Sequence, residues 1–323
     1  MGFTITGGVS ISGGVSLLPP GGSPSPSPGG GGFQGSNYGY TSGGVATGYK
    51  DTIDKFPFAS DGNATDVGDL TVSRYDLAGQ SSTINGYASG GNNGSAYEDT
   101  IGKFSFTSDS NATDVGNLSQ VREVPTGQSS TTNGYTSGGQ APAIGNVNTI
   151  DKFPFASDGN ATDVGDLTIA RRGPAGQSSS SSGYTSGGRN PARNTIDKFP
   201  FSSDTNATDV GDLTTGIYNG AGQSSSDYGY VSGGYDDGPS NLNIIEKFPF
   251  ASDANATDVG DLTENRYGPM GQSSNQSGYT GGNTPATNPG GDSIDKFPFA
   301  SDSNATNVGN LSEARGRGTG QQY

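Results

Sequence analysis

Apolar side chains fall in short bursts along this chain, and no stretch shows the three-to-four-residue spacing of a helix facing a core. The clearest burst is Lys-Phe-Pro-Phe. Its lysine recurs at Lys55, Lys103, Lys152, Lys198, Lys247 and Lys296, in steps of 46 to 49 residues. A Gly-Tyr pair moves with it, its tyrosine at Tyr40, Tyr87, Tyr135, Tyr184, Tyr230 and Tyr279. So does a Gly-Gln pair, with Gln80, Gln128, Gln177, Gln223, Gln272 and Gln321. Each unit reads as four extended segments: A is Gly-Gln-Ser-Ser, B is Gly-Tyr-Thr-Ser-Gly-Gly, C is Thr-Ile-Asp-Lys-Phe-Pro-Phe and D is Asp-Val-Gly-Asp-Leu. Ser/Asn runs, Gly/Pro/Asn loops and Ser-Asp-x-Asn-Ala-Thr turns separate them. Four antiparallel strands in a repeat of this length make a propeller blade. The expected fold is therefore all-β, a six-bladed β-propeller over residues 33–323.

The geometry of such a disc assigns places to the segments. Segment A carries the smallest side chains and belongs at the narrow hub, lining a polar channel. Phe56, Phe58, Val67 and Leu70, with their equivalents, belong in the wide wedge between blades, at about 1.5–3 kcal/mol for each fully buried side chain. The proline inside C (Pro57, Pro154, Pro200, Pro249, Pro298, with Ser105 in the second unit) is unwelcome in a strand paired on both sides. It predicts a bulge or the end of pairing, with D short and outermost. Gly320-Gln321 begins a segment A that no blade follows, so it is expected to pair beside Tyr40 and close the disc. Gln34-Gly35-Ser36 is the alternative. Upstream, residues 1–18 alternate as three short strands, Phe3-Thr4-Ile5, Val9-Ser10-Ile11 and Val15-Ser16-Leu17. They are too small to fold alone and imply an oligomeric assembly. Residues 19–32 read as a Gly/Pro/Ser linker.

Composition then removes whole chemistries. Hydrophobic residues make up 28% of the 323 residues, and there are 57 Gly. A helical globule is excluded, and order must come from the repeat. With no Cys and no His, disulfides, thiolate nucleophiles and the usual general base are absent. A formal charge of -15 repels nucleic acid and anionic membranes. No stretch reaches the roughly 20 apolar residues of a membrane span, and the N-terminus has no secretory pattern.

The units resemble kelch repeats. Those end a strand in Gly-Gly, follow with an aromatic strand and an Asp-containing turn, and place an Arg before the next blade. The matching residues here are Gly187-Gly188, Phe199 and Phe201, Asp204-Thr205-Asn206, and Arg74, Arg122, Arg171, Arg266 and Arg315. The kelch Trp is absent, and Gly216-Ile217-Tyr218 stands where the fourth Arg belongs, so the resemblance implies topology and no functional residues. The repeated Lys-Phe-Pro-Phe-Ala-Ser-Asp-x-Asn-Ala-Thr-Asp-Val-Gly-Asp-Leu stretch also looks like fibre- or appendage-type virion proteins of marine, cyanobacteria-infecting bacteriophages. That resemblance implies an external position on a virion, with residues 1–18 contacting other virion proteins. It also implies a surface charge suited to salty water.

Candidate chemistry is sparse. Asp61, Asn63, Thr65 and Asp69 space their oxygens as some Ca²⁺ loops do, but Asp66 stands where the sharp turn wants Gly. The plainer reading is an Asx-bonded hairpin turn, and no cofactor is expected. Asn-Ala-Thr matches the glycosylation pattern and is read as a coincidence of that turn. A sialidase-like glycan hydrolase would need clustered Arg and a Tyr–acid pair, whereas Arg occurs about once per blade, so no enzyme activity is expected. Recognition is better supported. In a four-stranded meander the A–B and C–D turns lie on one face, and the B–C and D–A loops lie on the other. The C–D turn is repeated nearly unchanged, while both sets on the opposite face differ from unit to unit. Loops on a rigid scaffold carry binding, and Tyr and Arg dominate binding energies. The candidates are Tyr49, Tyr97, Arg189, Arg193 and Tyr235 from B–C, with Arg172, Tyr218 and Tyr267 from D–A. A host-surface glycan or a neighbouring virion protein is the expected partner. A ligand-free spacer or decoration is the alternative.

Overall fold

The computed structural model describes residues 34–323 apart from 190, 192, 239 and 286–290. The segments at 1–18 and 19–32 lie outside the described residues. Six four-stranded antiparallel sheets follow one another as blades, each ordered A-B-C-D from the axis outward. Blade two, for example, is Ala78–Ser81, Asn85–Ser89, Thr100–Ser105 and Thr113–Asn117. Blade one takes its innermost strand from the other end of the chain. Thr319–Gln322 pairs with Tyr38–Val45, matching Gln321 to Tyr40 and Gly320 to Thr41. Gly35, the rival, instead makes a parallel bridge to Ser274 of blade six.

Six apolar clusters fill the six wedges, and each joins two blades. Tyr87, Ile101 and Leu118 of blade two pack on Phe153, Phe155 and Ala161 of blade three. The same set recurs at the closing junction, where Tyr279, Ile294 and Leu311 meet Phe56, Phe58 and Ala64. Five of the six tyrosines stack on the second phenylalanine of the next blade, with centroids 4.8 Å apart for Phe58 and Tyr279, and Tyr40 meets Phe106 tilted at the same distance. Val67 packs against the cluster between blades one and two but is only half-buried. The register jumps from Ile53↔Gly68 to Asp54↔Asp66, so Val67 is the extra residue of a bulge that turns it partly outward. Pro57 is the last residue of strand C, two positions beyond the final C–D pair Lys55↔Thr65. Pairing with D has ended before the proline, and the bulge lies upstream of it.

The hub is held by backbone proximity. A Cβ on Gly127 would stand 2.0 Å from the carbonyl oxygen of Gly79, and one on Gly320 would stand 1.9 Å from that of Gly271. Only glycine lets adjacent A strands approach this closely. The next residue staples the blades. Each glutamine Nε2 donates to the tyrosine carbonyl of the neighbouring B strand: Gln80 to Tyr135 (2.9 Å), Gln272 to Tyr40 (3.0 Å) and Gln321 to Tyr87 (2.9 Å), among six. The backbone N–H of Ser81 then donates to Ser129 Oγ at 3.0 Å, one of five such links. Gln34, the first described residue, donates its Nε2 to the Ser224 carbonyl at this serine end of the hub.

Candidate functional site

The D–A connections converge on the axis at the opposite mouth. The middle residue of each, Asp76, Val124, Gly173, Asn219, Gly268 and Arg317, has a positive φ between 52° and 65°. Their backbones close a loop of six hydrogen bonds: Asp76 N–H to Arg317 O, Val124 to Asp76, Gly173 to Val124, Asn219 to Gly173, Gly268 to Asn219 and Arg317 to Gly268, at 2.6–3.0 Å. A left-handed backbone at a β-branched valine is costly. The closed loop overrides that cost at Val124, because any other conformation would break two of its bonds.

The residue before each of these pairs with the B–C loop of the next blade. Tyr75↔Asn92, Glu123↔Gln140, Arg172↔Arg189 and Tyr218↔Tyr235 form antiparallel bridges, as does Gly316 with Val45, and Thr284 N–H donates to Tyr267 O. Both variable loop sets therefore share one face and are knitted into it. The backbone repeats about the axis while the side chains do not.

These side chains form two aromatic groups. Tyr218, Tyr235 and Tyr267 meet edge to face with centroids 5.5–6.2 Å apart. The Arg189 guanidinium lies 4.6 Å over Tyr218 and faces Asp237 at 3.5 Å. Asn219 donates to the Tyr267 hydroxyl at 2.8 Å. Burial pushes the Tyr218 hydroxyl up to about 12, against the pull of Arg189, so it is a neutral hydrogen-bonding group at physiological pH. On the other side Tyr49, 45% exposed, stacks on Tyr75 at 5.1 Å. Arg317 caps Tyr75 at 4.7 Å and pairs with Asp76. Burial raises the Asp76 carboxyl to about 6, partly offset by Arg317.

Of the sequence candidates, Tyr218, Tyr235, Tyr267 and Arg189 come together. Arg172 adjoins them through its backbone pair with Arg189, and its guanidinium donates to Gln140. Tyr49 belongs to the second group. Tyr97 bridges Asn92 within its own loop. Arg193 sits at the base of its loop, where its carbonyl accepts from Ile217 N–H. Sequence reasoning passed over Asp76, Tyr75, Asn219 and Arg317. Their only signal was a position in the variable D–A triplets.

The opposite face has different chemistry. Each C–D turn Asp accepts from the preceding blade's Lys, as Asp61 does from Lys296 at 3.0 Å and Asp253 from Lys198 at 3.1 Å. Asn63 Oδ1 accepts from the Asn310 backbone at 3.0 Å, and Asp69 N–H donates to Asn111 Oδ1 at 3.1 Å. Asp61, Asn63 and Asp69 thus bond to neighbouring blades, and the Thr65 hydroxyl donates to Lys55 O within its own blade. Among the described residues no group of three or more acidic side chains gathers as a metal cage would require. No family model matches the chain, and no curated protein matches it.

Proposed function

We propose that this chain is an appendage protein of a virion whose propeller presents the B–C/D–A face to a host-surface glycan. One observation carries the recognition reading: strictly repeated backbone on that face bears tyrosines, arginines and acids that differ at each blade, whereas the opposite face repeats its Lys–Asp pairs six times. Paired tyrosine faces suit the C–H faces of sugars, and the adjoining Arg189, Asp237 and Asn219 suit sugar hydroxyls. The placement of Gln34, the first described residue, at the mouth away from the variable face supports the display role. The virion assignment rests on the resemblance of the repeated Lys-Phe-Pro-Phe-Ala-Ser-Asp stretch and on the alternating segment at 1–18, read as the contact to other virion proteins.

The test is binding of the full chain to glycan arrays and to candidate host cells, compared with Tyr235→Ala and Tyr49→Ala. Each substitution is expected to weaken binding about tenfold or more with an unchanged melting temperature. Binding that survives both, or a folded wild-type chain that binds no glycan and no cell, overturns the glycan reading.

A further inference from the structure

Successive blades are also joined by a buried ion pair. The arginine that precedes each D–A triplet reaches the acid of strand C in the next blade. Arg122 meets Asp151 at 2.9 Å, Arg171 meets Asp197 at 2.8 Å, Arg266 meets Asp295 at 3.0 Å and Arg315 meets Asp54 at 3.0 Å, all with fully buried side chains. The same carboxylate accepts a backbone N–H from the end of strand D, from Ser119, Thr168, Thr263 and Ser312 at 2.9 Å. Two junctions depart. Ile217 replaces the arginine before blade five, where Glu246 keeps its bond from the Thr214 N–H at 3.0 Å. At the junction of blades one and two the arginine is present and the acid is missing, because Gly102 occupies its place.

Arg74 nevertheless holds the standard pose. Its Nη1 donates to Thr100 O at 3.0 Å and its Nη2 to Ala88 O at 2.9 Å, as Arg122 does to Thr149 and Thr136. It is fully buried, and no carboxylate among the described residues pairs with it. Glu98 and Asp114, whose charges it feels, are engaged by Asn93 and by the Gly116 amide. A Cβ on Gly102 would point at Arg74 Nη2 from 3.3 Å, so the missing CH2–COO⁻ would lead straight to the guanidinium. Thr71, at the position of Ser119 and Thr168, is exposed, and no carboxylate among the described residues accepts from its amide. Burial lowers Arg74 to about 10, and the charges of Glu98 and Asp114 only partly offset it. An unpaired buried cation is costly.

We propose that this junction binds a small monovalent anion in place of the absent side chain, held by Arg74 Nη2 and the Thr71 amide. The chemistry is that of a formate- or acetate-sized carboxylate, of which acetate reproduces the missing fragment atom for atom, or of a halide. Charge-assisted donors of this kind favour either. The ion acts as a removable fifth counter-charge in a series whose other four are covalent.

The experiment compares the thermal unfolding of the full chain with that of Gly102→Asp in a zwitterionic buffer, titrated separately with sodium formate and sodium chloride. General salt effects act on both proteins and cancel in the difference. Gly102→Asp is expected to melt several degrees above wild type without added anion. Formate, chloride or both then raise the wild type and close the gap. A response to formate alone identifies a carboxylate site, and a response to chloride alone identifies a halide site. A gap unchanged in both series overturns the proposal. As a second measurement, wild-type crystals grown in sodium bromide should show an anomalous peak between Arg74 and Thr71; its absence, together with silence in the formate series, also overturns it.

Discussion

Substituting Gly127 by Ala tests the packing of the hub. The added Cβ would lie 2.0 Å from Gly79 O and 2.8 Å from Gly79 C, where real Cβ contacts are never under 3.0 Å. A strand must therefore move by at least about 1 Å. Neither strand has room, because the site of a Cβ on Gly79 is itself 2.3 Å from Gly320 O, and one on Gly176 is 2.3 Å from Gly127 O. Displacement also pulls Gln80 Nε2 from Tyr135 O and Ser81 N–H from Ser129 Oγ. Overpacking costs about 1–3 kcal/mol, and each strained hydrogen bond adds about 1 kcal/mol. The sum, about 3–5 kcal/mol, corresponds to a melting temperature lower by roughly 5–8 °C, at an unfolding entropy of about 2.1 cal/mol/K per residue over about 290 residues. Gly62→Ala is the control, since a Cβ there meets nothing within 4 Å, and it should change stability by less than about 0.5 kcal/mol. Thermal unfolding followed by circular dichroism reads both. If Gly127→Ala melts with the wild type, the A strands are not in backbone contact and the account of the hub is wrong.

Three further outcomes follow from the same structure. Deleting residues 319–323 removes the innermost strand of blade one and the Gln321–Tyr87 link. It should produce an early-melting, protease-sensitive first blade, and limited proteolysis that finds no new cut near residues 38–57 would contradict closure by the C-terminus. Burial raises the Glu246 carboxyl above its ordinary value of 4.5, against the opposing Thr214 bonds. Its folded form therefore binds the proton more readily than the unfolded form, and that stabilising contribution is complete below about pH 4.5 and fades as pH rises through the raised value. Glu246→Gln should accordingly gain stability relative to wild type as pH rises from about 4 to about 8, read by thermal unfolding across that range; a pH-independent difference would refute this. Lys198→Met removes a half-exposed pair with Asp253 and should cost less than about 1 kcal/mol, as read by urea titration.

The parts of this fold visible in the sequence were those set by side-chain size and by turn chemistry. Gly-Gln-Ser marked the hub, Phe-Pro-Phe marked the wedge, and the orphan Gly320-Gln321 marked the closure. The half-exposure of Val67 was hidden because Asp-Val-Gly reads the same with or without an extra residue in the register. The role of the glutamines was hidden as well. Small polar segments predict a hub, but only the crossing of neighbouring blades shows each glutamine reaching the next tyrosine carbonyl. The arginines carried a readable signal in their partners. Asp54, Asp151, Asp197 and Asp295 recur beside Lys-Phe, so the lone Gly102 and Ile217 stand out once the pairing is known. The axial loop of backbone hydrogen bonds had no signal, since Asp76, Val124, Gly173, Asn219, Gly268 and Arg317 share a conformation and no side-chain property. For that reason Asp76 and Arg317, at the centre of the candidate face, were missed while the peripheral tyrosines were found.

The central claim is that one face of the disc is constant and structural while the other recognises a partner. Hydroxyl-radical footprinting of the full chain, free and bound to host cell surfaces, tests it most directly. The account predicts protection at Tyr49, Tyr75, Tyr235 and Tyr267 with none at the C–D turns around Asp61, Asp158 and Asp253. Protection centred on those turns, with the four tyrosines still fully reactive, would contradict it.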